Sequence, residues 1–144
     1  MKRFLTLLPV VLALALLFGA CEESPTDSPV DGSLTATVGG TSFSATSSTV
    51  TARKAGGSII VTGDSGNGVS ISLTFAATTT GSVTGTAIYT AGPGADFTYA
   101  APLAQVNVTK LDNATVEGTF SFTGVNSAGA SKSVTNGSFS ADFQ

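Results

Sequence analysis

Beyond residue 32 the chain carries five carboxylates, Asp64, Asp96, Asp112, Glu117 and Asp142, and no histidine anywhere. Imidazole bases, His-ligated metals and Ser/His/Asp or Cys/His nucleophile systems are therefore excluded. Hydrolysis by paired carboxylates is the acid–base chemistry that remains. Local context argues against it, because the strand alternation turns Glu117 outward. Asp64, Asp96 and Asp112 lie in turn sequences where an Asx side chain bonds its own backbone. The stretch Asp64-Ser65-Gly66-Asn67-Gly68 has the oxygen density of a calcium loop but lacks the second carboxylate and the distal Glu that give such loops affinity. Gly81-Ser82-Val83-Thr84-Gly85 opens no helix, so it is a turn and not a phosphate loop. The residues describe a non-enzyme with no catalytic group, metal or cofactor.

The elements that position these residues are strands. From Leu34 onward apolar side chains recur every second residue with Ser and Thr between them, and no window carries a helical stripe. Leu34, Ala36 and Val38 run to a Gly39-Gly40 turn. Pairing Val38 with Thr41 sets Ala36 opposite Phe43 and Leu34 opposite Ala45, so both strands bury one face. Thr49 to Lys54 is a third strand with Val50 and Ala52 inward, and Ser58 to Thr62 follows the Gly56-Gly57 turn. A longer loop, Gly63 to Asn67, leads to Val69, Ile71, Leu73 and Phe75. Val83 to Thr90 precedes the Ala91-Gly92-Pro93-Gly94 break, and Phe97 with Tyr99 marks a short strand. A three-residue loop Asp112-Asn113-Ala114 places Lys110 opposite Val116, Val108 opposite Gly118 and Val106 opposite Phe120. Asn126 to Ala130 reads as a flexible loop. Ser131 to Phe143 is one strand bent by a bulge at Asn136-Gly137. The sum is an all-β, antiparallel β-sandwich or barrel-like meander of about eight to nine strands. The 27 Val, Ile, Leu, Phe and Tyr residues from Ser33 onward suffice for one core.

The first stretch has a different character. Lys2 and Arg3 precede an uncharged run, Phe4 to Ala20, that ends in the only cysteine as Gly19-Ala20-Cys21. Seventeen helical residues reach roughly 25 Å, short of the ~30 Å hydrocarbon core, and Pro9 interrupts them, so a secretory signal closing on a lipobox is the reading. It resembles bacterial lipoprotein signals, in which the cysteine after two small residues is acylated and becomes the new N-terminus. The division that follows is 1–20 signal peptide, 21–32 tether and 33–144 β-domain. Residues 21–32 (CEESPTDSPVDG) hold four acids, two prolines and one large apolar residue, too little to offset ordering entropy, so a disordered tether is expected. By resemblance to the enteric sorting rule, Glu22 after the cysteine implies the outer membrane, with the domain facing the periplasm or the cell surface. In the domain, Leu34-Thr35-Ala36-Thr37-Val38-Gly39-Gly40, Gly118-Thr119-Phe120-Ser121-Phe122-Thr123-Gly124 and Val134-Thr135-Asn136-Gly137-Ser138-Phe139 are similar to a group of small uncharacterised bacterial lipoproteins. That resemblance covers about Ser33 to Phe143, implies the same β-fold and carries no site.

From Cys21 onward four basic residues face nine acidic ones, a net charge of −5. So few cations cannot neutralise phosphates, which excludes nucleic acid and electrostatic docking to anionic lipid. The membrane partner is then reached through acyl chains on Cys21, and two such chains anchor stably where one does not. With the cysteine consumed, the domain folds on its core alone. The function expected is non-catalytic binding or structural support in the outer envelope, through protein or glycan contact by loops. The alternative is a carrier holding a small apolar ligand in a barrel-like interior. For a glycan the stacking ring would be Tyr89: adjacent Ile88 and Tyr89 face opposite sides, so a buried Ile88 exposes Tyr89 beside Gly92-Pro93-Gly94, while Phe97 and Tyr99 share a buried face.

Overall fold

The computed structural model describes residues 32–144; the signal segment, Cys21 and the tether up to residue 31 lie outside the described residues. Nine strands follow in chain order: β1 (Ser33–Val38), β2 (Thr41–Thr46), β3 (Val50–Ala55), β4 (Ser58–Gly66), β5 (Val69–Phe75), β6 (Gly81–Ala91), β7 (Thr98–Leu111), β8 (Thr115–Val125) and β9 (Ser131–Asp142). They form one sheet of order β2-β1-β9-β8-β7-β6-β5-β4-β3, antiparallel throughout. Strands β3 to β9 are a plain meander, and β1 returns across the whole chain to pair with β9. The sheet curls until its two edges meet: β2 packs against β4, Ala52 of β3 bridges Phe143 beyond β9, and the Gln144 amide donates to the Ala52 carbonyl at 3.0 Å. The result is an almost closed barrel-like meander and not two facing sheets.

Alternation decides the inside. Leu34, Val61, Ile71, Leu73, Val116, Val134 and Ala141 are fully buried, with Phe75, Phe120, Phe122 and Phe139 around them. The rings touch in series, Phe75 to Phe139 at 5.9 Å between centroids, Phe139 to Phe120 at 6.3 Å and Phe120 to Phe122 at 6.2 Å. Glycines make room for them. A Cβ at Gly118 would lie 2.7 Å from the Phe139 ring, and one at Gly137 would lie 2.7 Å from the Phe120 ring. The interior is therefore filled by side chains, as a barrel of this size allows.

The first hairpin has the expected register, Val38 with Thr41, Ala36 with Phe43 and Leu34 with Ala45. Val50 and Ala52 are buried on β3, and Asn136, at φ +51°, forms the bulge that bends β9. Three expectations are corrected. Residues 63–67 are not a loop: β4 runs to Gly66, bulges after Asp64 and turns tightly at Asn67-Gly68, both with positive φ. The β7–β8 connection pairs Leu111 with Val116 and Lys110 with Glu117, and a bulge at Thr109 then restores Val108 opposite Gly118 and Val106 opposite Phe120. A shorter turn plus one inserted residue thus gives the same core register as a three-residue loop. Finally, the strand at Tyr99 is not short. It is the 14-residue β7, and Phe97 lies before it in a single 3-10 turn, half exposed, while Tyr99 is buried.

Candidate functional site

The carboxylates are spread around the barrel and each has structural work. Asp64 accepts the Gly66 amide at 2.6 Å, and Asp96 accepts the Ser127 hydroxyl at 2.8 Å. Asp112 accepts the Ala114 and Thr115 amides at 2.8 and 2.7 Å, which with Lys110 and Lys54 nearby holds its carboxyl below the usual range. Glu117 lies 3.5 Å from the Lys110 ammonium, and Asp142 accepts the Thr115 hydroxyl. Among the described residues no three carboxylates come together as a metal site would require.

At the end of the barrel holding the β4–β5, β6–β7 and β8–β9 connections, the expected flexible loop 126–130 is a built scaffold. The Asn126 carboxamide oxygen accepts the Ala128 and Ala130 amides, and its NH2 donates to the Asp96 carbonyl at 2.7 Å. The β8–β9 connection thereby braces the turn that carries Phe97. Tyr89 enters this end from β6, on the face opposite to the one expected. Ile88 is 45 % exposed, while Tyr89 is half-buried with its ring 5.9 Å from that of Tyr99. Burial, and then the neighbouring Tyr99, raises the Tyr89 phenol above its ordinary value. The reason lies in β6 parity: Val83, Gly85, Ala87, Tyr89 and Ala91 point to the interior. The more hydrophobic residue is the one left outside.

That reversal belongs to a wider pattern. Among the described residues the exposed large hydrophobic side chains are Ile88, Phe97, Leu103 and Val125, and all four fall on or beside the loop-end halves of β6, β7 and β8. Pairing puts Ile88 opposite Ala100 and Ala100 opposite Val125, so one cross-strand row reads Ser72, Ile88, Ala100, Val125, Ser131. Two residues further along β7, Pro102 and Leu103 form a bulge opposite Thr86 and both point outward. Proline suits that position because a bulged residue owes the ladder no amide, and the inserted residue re-aims Leu103, which is 70 % exposed. An apolar centre is thus rimmed by Ser72, Thr86, Thr123 and Ser131. Sequence reading missed it, since Ile88, Leu103 and Val125 look like core until the strands are paired.

The described surface also carries depressions. A shallow groove of about 460 Å³ crosses the outer face of β6 to β9 between Gln105, Asn107, Thr119, Ser121 and Asn136. Another, of about 360 Å³, lies at the opposite barrel end between Ile59, Ala77 and Leu111, with the Lys54 ammonium 4.2 Å from the Phe143 ring centre and 3.3 Å from the Asp112 carbonyl oxygen.

Fold and surface define an antiparallel, nine-stranded, barrel-like β-domain with a filled interior and an apolar outer face. The model of a family described as a domain of unknown function, DUF6252, matches residues 31–141. The chain belongs to that family. Comparison with the curated proteins and with the solved structures returned no match.

Proposed function

We propose that this protein is a bacterial outer-envelope lipoprotein, anchored by acyl chains on Cys21, whose β-domain binds a protein partner and catalyses no reaction. The observation that carries the binding reading is the apolar face of Ile88, Ala100, Leu103 and Val125. A sheet that exposes three large apolar side chains and an alanine at one place has the anatomy of a contact surface, apolar at the centre and hydroxylated at the rim. The carboxylates support a non-catalytic role because each is engaged in a turn, an ion pair or a hydroxyl contact. The ring-filled interior favours a module that acts through its surface over a carrier of an apolar ligand.

The test is chemical cross-linking of the full chain in the envelope of a bacterial host. Adducts should vanish in Leu103→Lys and persist in Arg53→Glu, on the far side of the barrel. Identical adduct patterns in both variants would refute contact through this face. Intact mass of the membrane-extracted protein checks the anchor: an unmodified Cys21 thiol, or retention of residues 1–20, removes that part of the proposal. One second reading has an observation of its own, since the uncharged groove of Gln105, Asn107 and Asn136 offers amides and hydroxyls suited to a neutral glycan. Titration with neutral polysaccharides, lost on Gln105→Ala, is its measurement.

A further inference from the structure

Strand β3 breaks its own alternation. Val50 and Ala52 point into the barrel, and the next position of the same parity is Lys54, paired across the hairpin with the buried Ile59. The lysine therefore leans over the barrel mouth. Its ammonium is held there by the face of the Phe143 ring, 4.2 Å from the centre, and by the Asp112 carbonyl oxygen at 3.3 Å. Among the described residues the ion pairs are those of Lys110 with Asp112 and Glu117, so Lys54 is held by a ring and a carbonyl and not by a carboxylate. The Asp112 carboxylate is already engaged by the Ala114 and Thr115 amides and by Lys110. An inward charge can also guard a sheet edge. On β3 that edge is already covered, since Phe143 bridges Ala52 and the Gln144 amide donates to it.

Beside the ammonium lies the hollow of about 360 Å³, mostly apolar, with Ile59, Ala77 and Leu111 in its lining. Those three side chains offer no hydrogen bond, so the body of an occupant must be hydrocarbon. At the ~30 Å³ that a water takes in the liquid, the hollow has room for about a dozen non-hydrogen atoms, too few for a two-chain lipid. An apolar hollow with one convergent charge, in the mouth of a barrel, is the usual anatomy of a small-molecule site. We propose that this mouth binds a small monocarboxylate, its hydrocarbon body on Ile59, Ala77 and Leu111 and its carboxylate on the Lys54 ammonium. An ammonium has three donors and the Asp112 carbonyl takes one, so donors remain for the acid. A neutral occupant would leave them unused, and a cationic one would meet like charge. The site lies at the barrel end opposite Phe97 and does not depend on the apolar face of β6 to β8, so either can fail without the other.

Equilibrium dialysis of radiolabelled octanoate against the full-length protein in phosphatidylcholine vesicles tests this, with protein-free vesicles as the blank and octanamide and octylammonium as matched probes. Octanoate should bind saturably, about fivefold tighter than octanamide, the upper range for one exposed ion pair, and octylammonium should not rise above the blank. Lys54→Gln, which keeps a donor for the Asp112 carbonyl, should bring octanoate to the level of its amide, while Lys132→Gln at the other barrel end should change nothing. Ala77→Phe fills the hollow and should abolish retention of octanoate and octanamide alike. Should that variant melt lower, Thr78→Trp at the exposed rim provides the same test. Octanoate held no tighter than its matched probes, or binding that Lys54→Gln or the filled mouth leaves unchanged, would overturn the proposal, as would no retention above the blank.

Discussion

Asp112 shows how a carboxylate in a turn becomes structural. Its oxygen takes the Thr115 and Ala114 amides, and Lys110 stands 3.8 Å away, so the ionised form is favoured in the folded chain. The sign follows: with the folded pKa lowered from 3.8, the stabilisation is present above that value and is lost as pH falls through the folded one. Asp112→Asn should therefore melt below wild type at about pH 7, with the two curves converging by about pH 2. A melting difference that does not change with pH would show that the charge is irrelevant. This role was legible, because Asp-Asn before a strand is a turn signal whatever the fold. Tyr89 was not. Its inward parity was written in Val83, Gly85, Ala87 and Ala91, but the greater hydrophobicity of Ile88 argued the other way, and only the paired sheet decides between them.

At the scale of elements, β8 is the strand on which sequence and structure agree most closely. Val116, Gly118, Phe120 and Phe122 point inward, and Thr119 and Ser121 outward. Phe122→Ala should cost about 3 to 5 kcal/mol and Thr119→Ala far less. Equal urea midpoints for the two would contradict the strand orientation. Gly118 is the more exacting position, because an added Cβ would lie 2.5 Å from the Asn107 carbonyl oxygen as well as against Phe139. Gly118→Ala should destabilise by about 1 to 3 kcal/mol, the usual cost of overpacking; unaltered stability would mean that β7 and β9 yield easily at this point. What period-two reading could not see are the bulges at Thr109 and at Pro102-Leu103. One inserted residue reverses the inside–outside sense of everything beyond it, and no local pattern announces the insertion. The bulge at Asn136-Gly137 was visible because Asn-Gly favours positive φ, whereas Leu103 carries no such mark. That is why the apolar face stayed hidden.

For the molecule as a whole, the order of pairing sets how it folds. Strands β3 to β9 each pair with the next strand in the chain, so their loops close over short distances. The β1–β9 ladder instead joins residues about a hundred positions apart, as Leu34 opposite Phe139 shows. Loop-closure entropy grows with the length enclosed and must be met before a distant contact stabilises anything, so the β1–β9 ladder should form after the transition state and the central hairpins before it. Substitutions then divide by place. Val108→Ala, buried between β6 and β8, should chiefly slow folding, whereas Ala36→Gly on β1 should chiefly speed unfolding and leave the folding limb nearly unmoved. Denaturant chevrons of the two variants measure the split. If Ala36→Gly slowed folding as strongly as Val108→Ala for the same loss of stability, closure of the barrel and not the meander would be the nucleus. The β1–β2 hairpin would then have to dock on β9 and β4 before the central strands are complete.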